Sequence, residues 1–126
     1  MHRSRVATVI IDFDEATFED GARFWSAALG RERLTRNERF ESLRGRIGGA
    51  GGLYVGLQRG MTDPQKFHLD IETDDVEREV SRLEGLGAQV KARIRRHVVM
   101  RAPGGHTFCV IPAARGDFSV DAKTWQ

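Results

Sequence analysis

Phe67-His68-Leu69-Asp70-Ile71-Glu72 alternates apolar and ionisable side chains without a break, and Thr73-Asp74-Asp75 follows at once. Alternation at period two marks a strand with two unlike faces. The acidic stretch behind it reads as a helix start, with Asp74 and Glu77 at capping-box spacing. Val76, Val80, Leu83 and Leu86 then form one helical stripe, which Gly87 stops. Strand candidates follow over Gln89–Ile94, His97–Arg101 and residues 107–111. The same order occurs earlier. A β-branched run at residues 6–11 ends at Asp12-Phe13-Asp14-Glu15, and Phe18, Ala22, Trp25 and Leu29 make a stripe closed by Gly30. Strand candidates at residues 39–46 and Leu53–Gln58 follow. Gly51-Gly52 and Gly104-Gly105 each announce the closing strand of a half. The chain therefore reads as an internal repeat of strand, helix and strands. Module one spans about residues 4–60 and module two about 66–112, joined by a linker at 59–65 and followed by a polar tail at 113–126.

With 126 residues, 40% hydrophobic and 30% charged, these modules belong to one domain. The 20 basic and 18 acidic side chains leave a net charge of only +2, which supports no nucleic-acid partner. Cys109 is the single cysteine and has no internal disulfide partner, which suits a reducing compartment. The apolar-rich run before Asp12 is too short for a signal segment or a membrane span. A cytoplasmic protein without a membrane partner is the expectation. The glycine run at residues 48–52 precedes a strand rather than opening a helix, so it reads as a hairpin loop and not a phosphate cradle.

Two successive βαβββ units with His68 on the opening strand of the second resemble the vicinal oxygen chelate superfamily of glyoxalase I, bleomycin-resistance proteins and extradiol dioxygenases. The resemblance is carried by Phe24-Trp25-Ser26-Ala27-Ala28-Leu29-Gly30, Gln58-Arg59, residues 68–75, Leu83-Glu84-Gly85-Leu86-Gly87-Ala88 and residues 102–112. It covers nearly the whole chain and is nearest to the small glyoxalase-like branch. It implies an α+β fold in which two tandem βαβββ modules form an open, cup-shaped mixed sheet with helices on the outer face. It also implies a homodimer, with Trp25 and Trp125 as candidate interface aromatics, and a small-molecule ligand in the cup.

Strand parity selects the residues that would line such a cup. Phe67, Leu69 and Ile71 are expected to pack against helices, leaving His68, Asp70 and Glu72 on the other side, either solvated or lining a polar cavity. The same parity selects Thr8, Ile10 and Asp12, then Tyr54, Gly56 and Gln58, then Thr107, Cys109 and Ile111. The candidate ligand-binding residues are thus Thr8, Asp12, Tyr54, Gln58, Asp70, Glu72, Thr107 and Cys109, and the candidate catalytic residue is His68. Metal-dependent members carry ligands on the first, fourth, fifth and eighth strands. The resemblance puts these at Thr8 (or Ala7), Gly56, His68 and Cys109. Only His68 is a usual ligand, so a divalent metal lacks a full donor set, although Asp70, Glu72, Gln58 or Asp12 could supply oxygens to a displaced site. Without metal, His68 could act as a general base if the sheet brought another strand's carboxylate beside it. Cys109 reads as a buried, inert thiol. The motif departs again at Ala102-Pro103-Gly104-Gly105-His106, where the branch carries an acidic turn, and His106 reads as a solvated turn residue.

Between Lys91 and Arg101 lie only cations among the charged residues, with Lys91, Arg93 and Arg95 on one strand face. This fits an edge strand guarded against aggregation, or a face that attracts an anionic substrate. Two functions follow from the resemblance. One is an enzyme, a lyase or dioxygenase type acting on a small oxygenated organic molecule. The other is a metal-free sequestration protein of the drug-resistance type.

Overall fold

A computed structural model describes residues 1–62 and 66–126, so residues 63–65 of the expected linker lie outside the described residues. Nine strands of an open mixed sheet and three helices make an α+β fold. The chain divides into two compact units: a first comprising Thr8–His68, and a second comprising Met1–Ala7 with Leu69–Gln126.

In the first unit, strand β1 (His2–Asp12) contributes its residues from Thr8 onward. Helix α1 (Phe18–Leu29) follows, then β2 (Arg33–Thr35), β3 (Phe40–Ile47) and β4 (Leu53–Gln58), in the spatial order β2-β3-β4-β1. Before the helix, Asp14 Oδ1 accepts hydrogen bonds from the Thr17 backbone N–H and hydroxyl. Gly30, at φ 63°, closes the helix in the left-handed conformation expected of it. Phe18 and Ala22 are buried on the α1 stripe and join Ile11, Leu43, Val55 and Leu57 in one apolar cluster, with Trp25 packed against it. The strands β3 and β4 are antiparallel around a hairpin loop at residues 48–52, as the glycine run predicts. β2 has no counterpart in the sequence reading: its three residues carry no periodicity, and only the pairing Arg33↔Leu43 to Thr35↔Glu41 defines it.

The second unit holds most of β5 (Phe67–Thr73), α2 (Val76–Gly85), β6 (Gln89–Ile94), β7 (His97–Arg101), β8 (Thr107–Pro112), α3 (Phe118–Asp121) and β9 (Lys123–Trp125). β5 and β8 are parallel, β8, β7 and β6 are antiparallel neighbours, and β9 pairs antiparallel with His2–Ser4. Val80, Ala88, Val98, Met100 and Val110 form its core, with Val76 and Leu83 packed against it.

Four expectations need correction. The α2 cap is Asp75, whose side chain accepts the Arg78 N–H, while Asp74 turns away to accept the Arg3 N–H at 2.7 Å. Leu86 is the C-cap, one residue past the helix end at Gly85, and is exposed. At the start of β5 the expected packing fails: Phe67 is 60% and Leu69 45% exposed, while Ile71 is half-buried. The polar tail is structured. Phe118 is buried, and the Trp125 indole N–H donates to Ser4 Oγ at 2.8 Å while Arg82 stacks on its ring at 3.8 Å. Trp125 is therefore half-buried and anchored within its own unit.

Candidate ligand-binding site

In the first unit the strand registers fix which side chains stand together. Directly paired residues of neighbouring strands point to the same face. One row joins Arg46, Tyr54 and Thr8, the next Ser42, Gly56 and Ile10, and the last Phe40, Gln58 and Asp12. Leu43, Val55, Leu57 and Ile11 occupy the opposite face with α1, so these rows form the face turned away from the helix. His68 joins the last row through its Nδ1, which lies 2.9 Å from Asp12 Oδ2.

The sequence reading asked for a carboxylate from another strand beside His68, and β1 supplies it. The Asp12 side chain is buried and that of His68 is 15% exposed, so the imidazole edge reaches the surface while its orienting acid does not. Asp12 Oδ1 is also buried, and it has no hydrogen-bond partner among the described residues. A buried carboxylate oxygen without a donor is costly and marks a place where a donor belongs.

Thr8, Tyr54 and Gln58 stand on this same face, with the Arg46 guanidinium over the Tyr54 ring at 5.5 Å. Three residues that the motif reading passed over also lie here: Phe40, Ser42 and Arg46. Their parity was available on the expected strand at residues 39–46, but the pairing that sets that strand beside β4 was not.

The remaining candidates belong to the second unit. Asp70 pairs across from Cys109, and both are half-buried. Thr107, at the start of β8, is exposed. Glu72 is neither solvated nor in a polar cavity: Arg5 Nε and Nη2 donate to its Oε1 at 3.0 and 2.8 Å, and both side chains are buried. The same guanidinium reaches Asp117 and Asp121. Burial works against the Arg5 charge, but hydrogen bonds to Asp117, Asp121 and Glu72 outweigh it and raise its pKa above the usual arginine value. Arg5 thus ties Glu72 of β5 to the α3 segment.

Among the described residues, the first unit by itself does not complete a family-type metal site. Thr8 and Gly56 occupy two of the four ligand positions. A Cβ on Gly56 would lie 2.5 Å from Ile10 Cδ1, so the neighbouring strand fills the place where that ligand would stand. In this unit that leaves His68, already bonded to Asp12, where a catalytic site needs three protein ligands.

Comparison with known proteins agrees with this architecture. The family model of the glyoxalase-like domain matches residues 8–111. The chain belongs to the glyoxalase-like domain family, within the vicinal oxygen chelate superfamily. No curated protein matches it. Among solved structures it is similar to a methylmalonyl-CoA epimerase in complex with methylmalonyl-CoA and NH4+, with a TM-score of 0.61 and 15% identity over 89% of this chain and 96% of that one. It is also similar to an uncharacterised protein from Methanosarcina mazei, with a TM-score of 0.51 and 11% identity over 87% and 94% of the two chains. A mutant 4-hydroxymandelate synthase from Streptomyces coelicolor gives a TM-score of 0.52 at 19% identity, over 93% of this chain and 51% of that one. At these identities the likeness is one of fold.

Proposed function

We propose that this protein binds a small oxygenated organic molecule on the helix-free face of its first unit and moves a proton on it with His68. The observation that carries this reading is the Asp12–His68 pair, in which the buried Asp12 Oδ1 has no hydrogen-bond partner among the described residues. Asp12 orients the ring through Nδ1 and stabilises the imidazolium that forms when Nε2 takes up a proton. A carbon acid next to a carbonyl is the fitting substrate: its C–H bond breaks toward Nε2, and the electron pair moves onto the carbonyl oxygen. This is chemistry of the lyase or isomerase kind. Thr8, Tyr54 and Gln58 would then orient the ligand.

A second reading, sequestration without chemistry, is favoured by Thr8 and Gly56 at the ligand positions. The two separate on incubating the protein in D2O with a set of small ketones and 2-oxo acids. Deuterium entering next to the carbonyl, and lost in His68→Asn, supports proton transfer. Binding of the same compounds without exchange, and with equal affinity in His68→Asn, would establish sequestration instead. The cytoplasm and a homodimeric state complete the proposal.

A further inference from the structure

Residues 85–116 hold six of the 20 basic side chains and none of the 18 acidic ones. Elsewhere arginines take carboxylates: Arg33 grips Glu41 and Glu19, Arg44 pairs with Glu32, and Arg82 with the buried Glu79. On the hairpin of β6 and β7 only Arg93 does so among the described residues, reaching Glu77 of α2 at 2.8 Å. Lys91, Arg95, Arg96 and Arg101 are exposed, and no side chain among the described residues bonds to them. Guarding a sheet edge against aggregation accounts for a cation on β6, the last strand in the sheet order. It does not account for the others. Arg101 stands on β7, where it is paired on both sides, with Gln89 and Thr107, and Arg95 and Arg96 form the turn, where no ladder runs. Arg95 also holds φ at 56°, a left-handed conformation that glycine adopts more easily, so a guanidinium is kept at the tip against the backbone's preference.

We infer that this hairpin is a docking surface for an acidic, extended segment of another protein. It lies in the second unit and does not depend on the proton-transfer site proposed above. Val98 and Met100 point into the core beside α2, so His97, Arg101 and, by its pairing with His97, Ile94 share the opposite face. Ile94 is 59% exposed, an apolar anchor among the cations. From His97 at the tip to Arg101 the strand covers about 13 Å, the reach of about four extended residues. Carboxylates along such a segment would meet the guanidinium forks, and an apolar neighbour would cover Ile94. A second copy of this chain is a poor match, because its exposed carboxylates are largely taken: Glu19 by Arg33, Glu32 by Arg44, Glu15 by Arg59 and Glu77 by Arg93. The hairpin carries no Phe, Tyr or Trp on which bases could stack, and one exposed isoleucine is too little to enter a bilayer.

The probes are a short fluorescent peptide of glutamates around a central leucine pair, the same peptide with glutamine for glutamate, single-stranded and duplex DNA, and phosphatidylcholine vesicles carrying a quarter phosphatidylserine. Binding to the full chain is read by anisotropy, by co-sedimentation for the vesicles, and by amide NMR shifts. The expected result is binding of the glutamate peptide in preference to every other probe, with shifts over residues 94–97 and at Arg101, and an affinity that falls as salt rises. Arg95→Gly with Arg96→Gln should weaken it by about three- to tenfold. The Tm of that variant should not fall, because glycine suits the left-handed turn. Ile94→Ser should weaken binding as well. The control pair Arg23→Gln with Arg44→Gln removes as much charge and should leave it unchanged. Equal binding of the two peptides, undiminished affinity in the Arg95 and Arg96 variant, or an equal loss in the control overturns the inference. Tighter binding of DNA or vesicles than of the glutamate peptide at the same salt, or no peptide binding at millimolar concentration, overturns it too.

Discussion

Gly56 shows how one residue can decide what a face holds. An added Cβ would meet Ile10 Cδ1 at 2.5 Å, so the end of that buried side chain would have to shift. Gly56→Ala should destabilise the protein by about 1–3 kcal/mol, read as a lower urea midpoint, as expected for overpacking. Asp12→Asn keeps the shape but removes the charge that steadies an imidazolium, so it should reduce any His68-dependent exchange by about 10²-fold or more while His68→Asn abolishes it. If Asp12→Asn left exchange intact, Asp12 would be structural only. Glu79 in α2 is a buried carboxylate held by His2 at 2.8 Å and by both Arg82 contacts. Burial pushes its pKa up, but the hydrogen bonds from Arg82, His2 and Ser4 outweigh it and leave the pKa below the ordinary value of 4.5. A carboxyl with a lowered folded pKa stabilises the fold above its ordinary value, and that contribution disappears as pH falls through the lowered one. Acid unfolding should therefore set in below about pH 4.5, and Glu79→Gln should flatten that limb while lowering stability at neutral pH.

At the scale of elements, the sequence was a good guide wherever periodicity ran long enough. β4, β6 and β7 fall on the expected bounds, and α1 ends at Gly30, because alternation, helical stripes and left-handed glycines are local properties. It failed at β2, at the α2 cap and in the tail. Asp74 and Asp75 are equivalent as caps until Arg3 claims the first through its backbone N–H. Asp75→Ala should then cost about 1 kcal/mol, with Asp74→Ala acting through the Arg3 contact instead. The tail is polar in composition, yet Phe118 beneath the Arg3 and Arg5 guanidinia and Trp125 under Arg82 anchor it. Deleting residues 113–126 should lower Tm by several degrees, because it strips the buried Arg5 of Asp117 and Asp121. An unchanged Tm would show that the α3 segment is dispensable.

The whole molecule has two apolar clusters, one in each unit, each beside its own helix. The first unit also carries exposed Phe24 and Phe67, and an apolar hollow of about 340 Å³ lined by Val9, Ile11, Trp25, Leu29, Leu53 and Phe67 among others. Exposed apolar area of this kind is what the proposed homodimer would cover. Sedimentation should give a dimer at micromolar concentration that Phe24→Ser with Phe67→Ser converts to a monomer; a wild-type monomer would remove the homodimer from the proposal. No helix among the described residues is long and apolar enough to cross a membrane.

By itself the sequence determined the alternation along its strands and the stripes along its helices, because these depend on residue order at periods of two and 3.6, while its motifs carried the resemblance to the glyoxalase-like family that the family model bears out. It also placed Thr8, Asp12, Tyr54, Gln58 and His68 on one strand face or another. Which of these meet was decided by pairing register. That register set Asp12 beside His68 and closed Glu72 on Arg5. Contacts between residues far apart in the chain depend on how strands align, and no local pattern records that alignment.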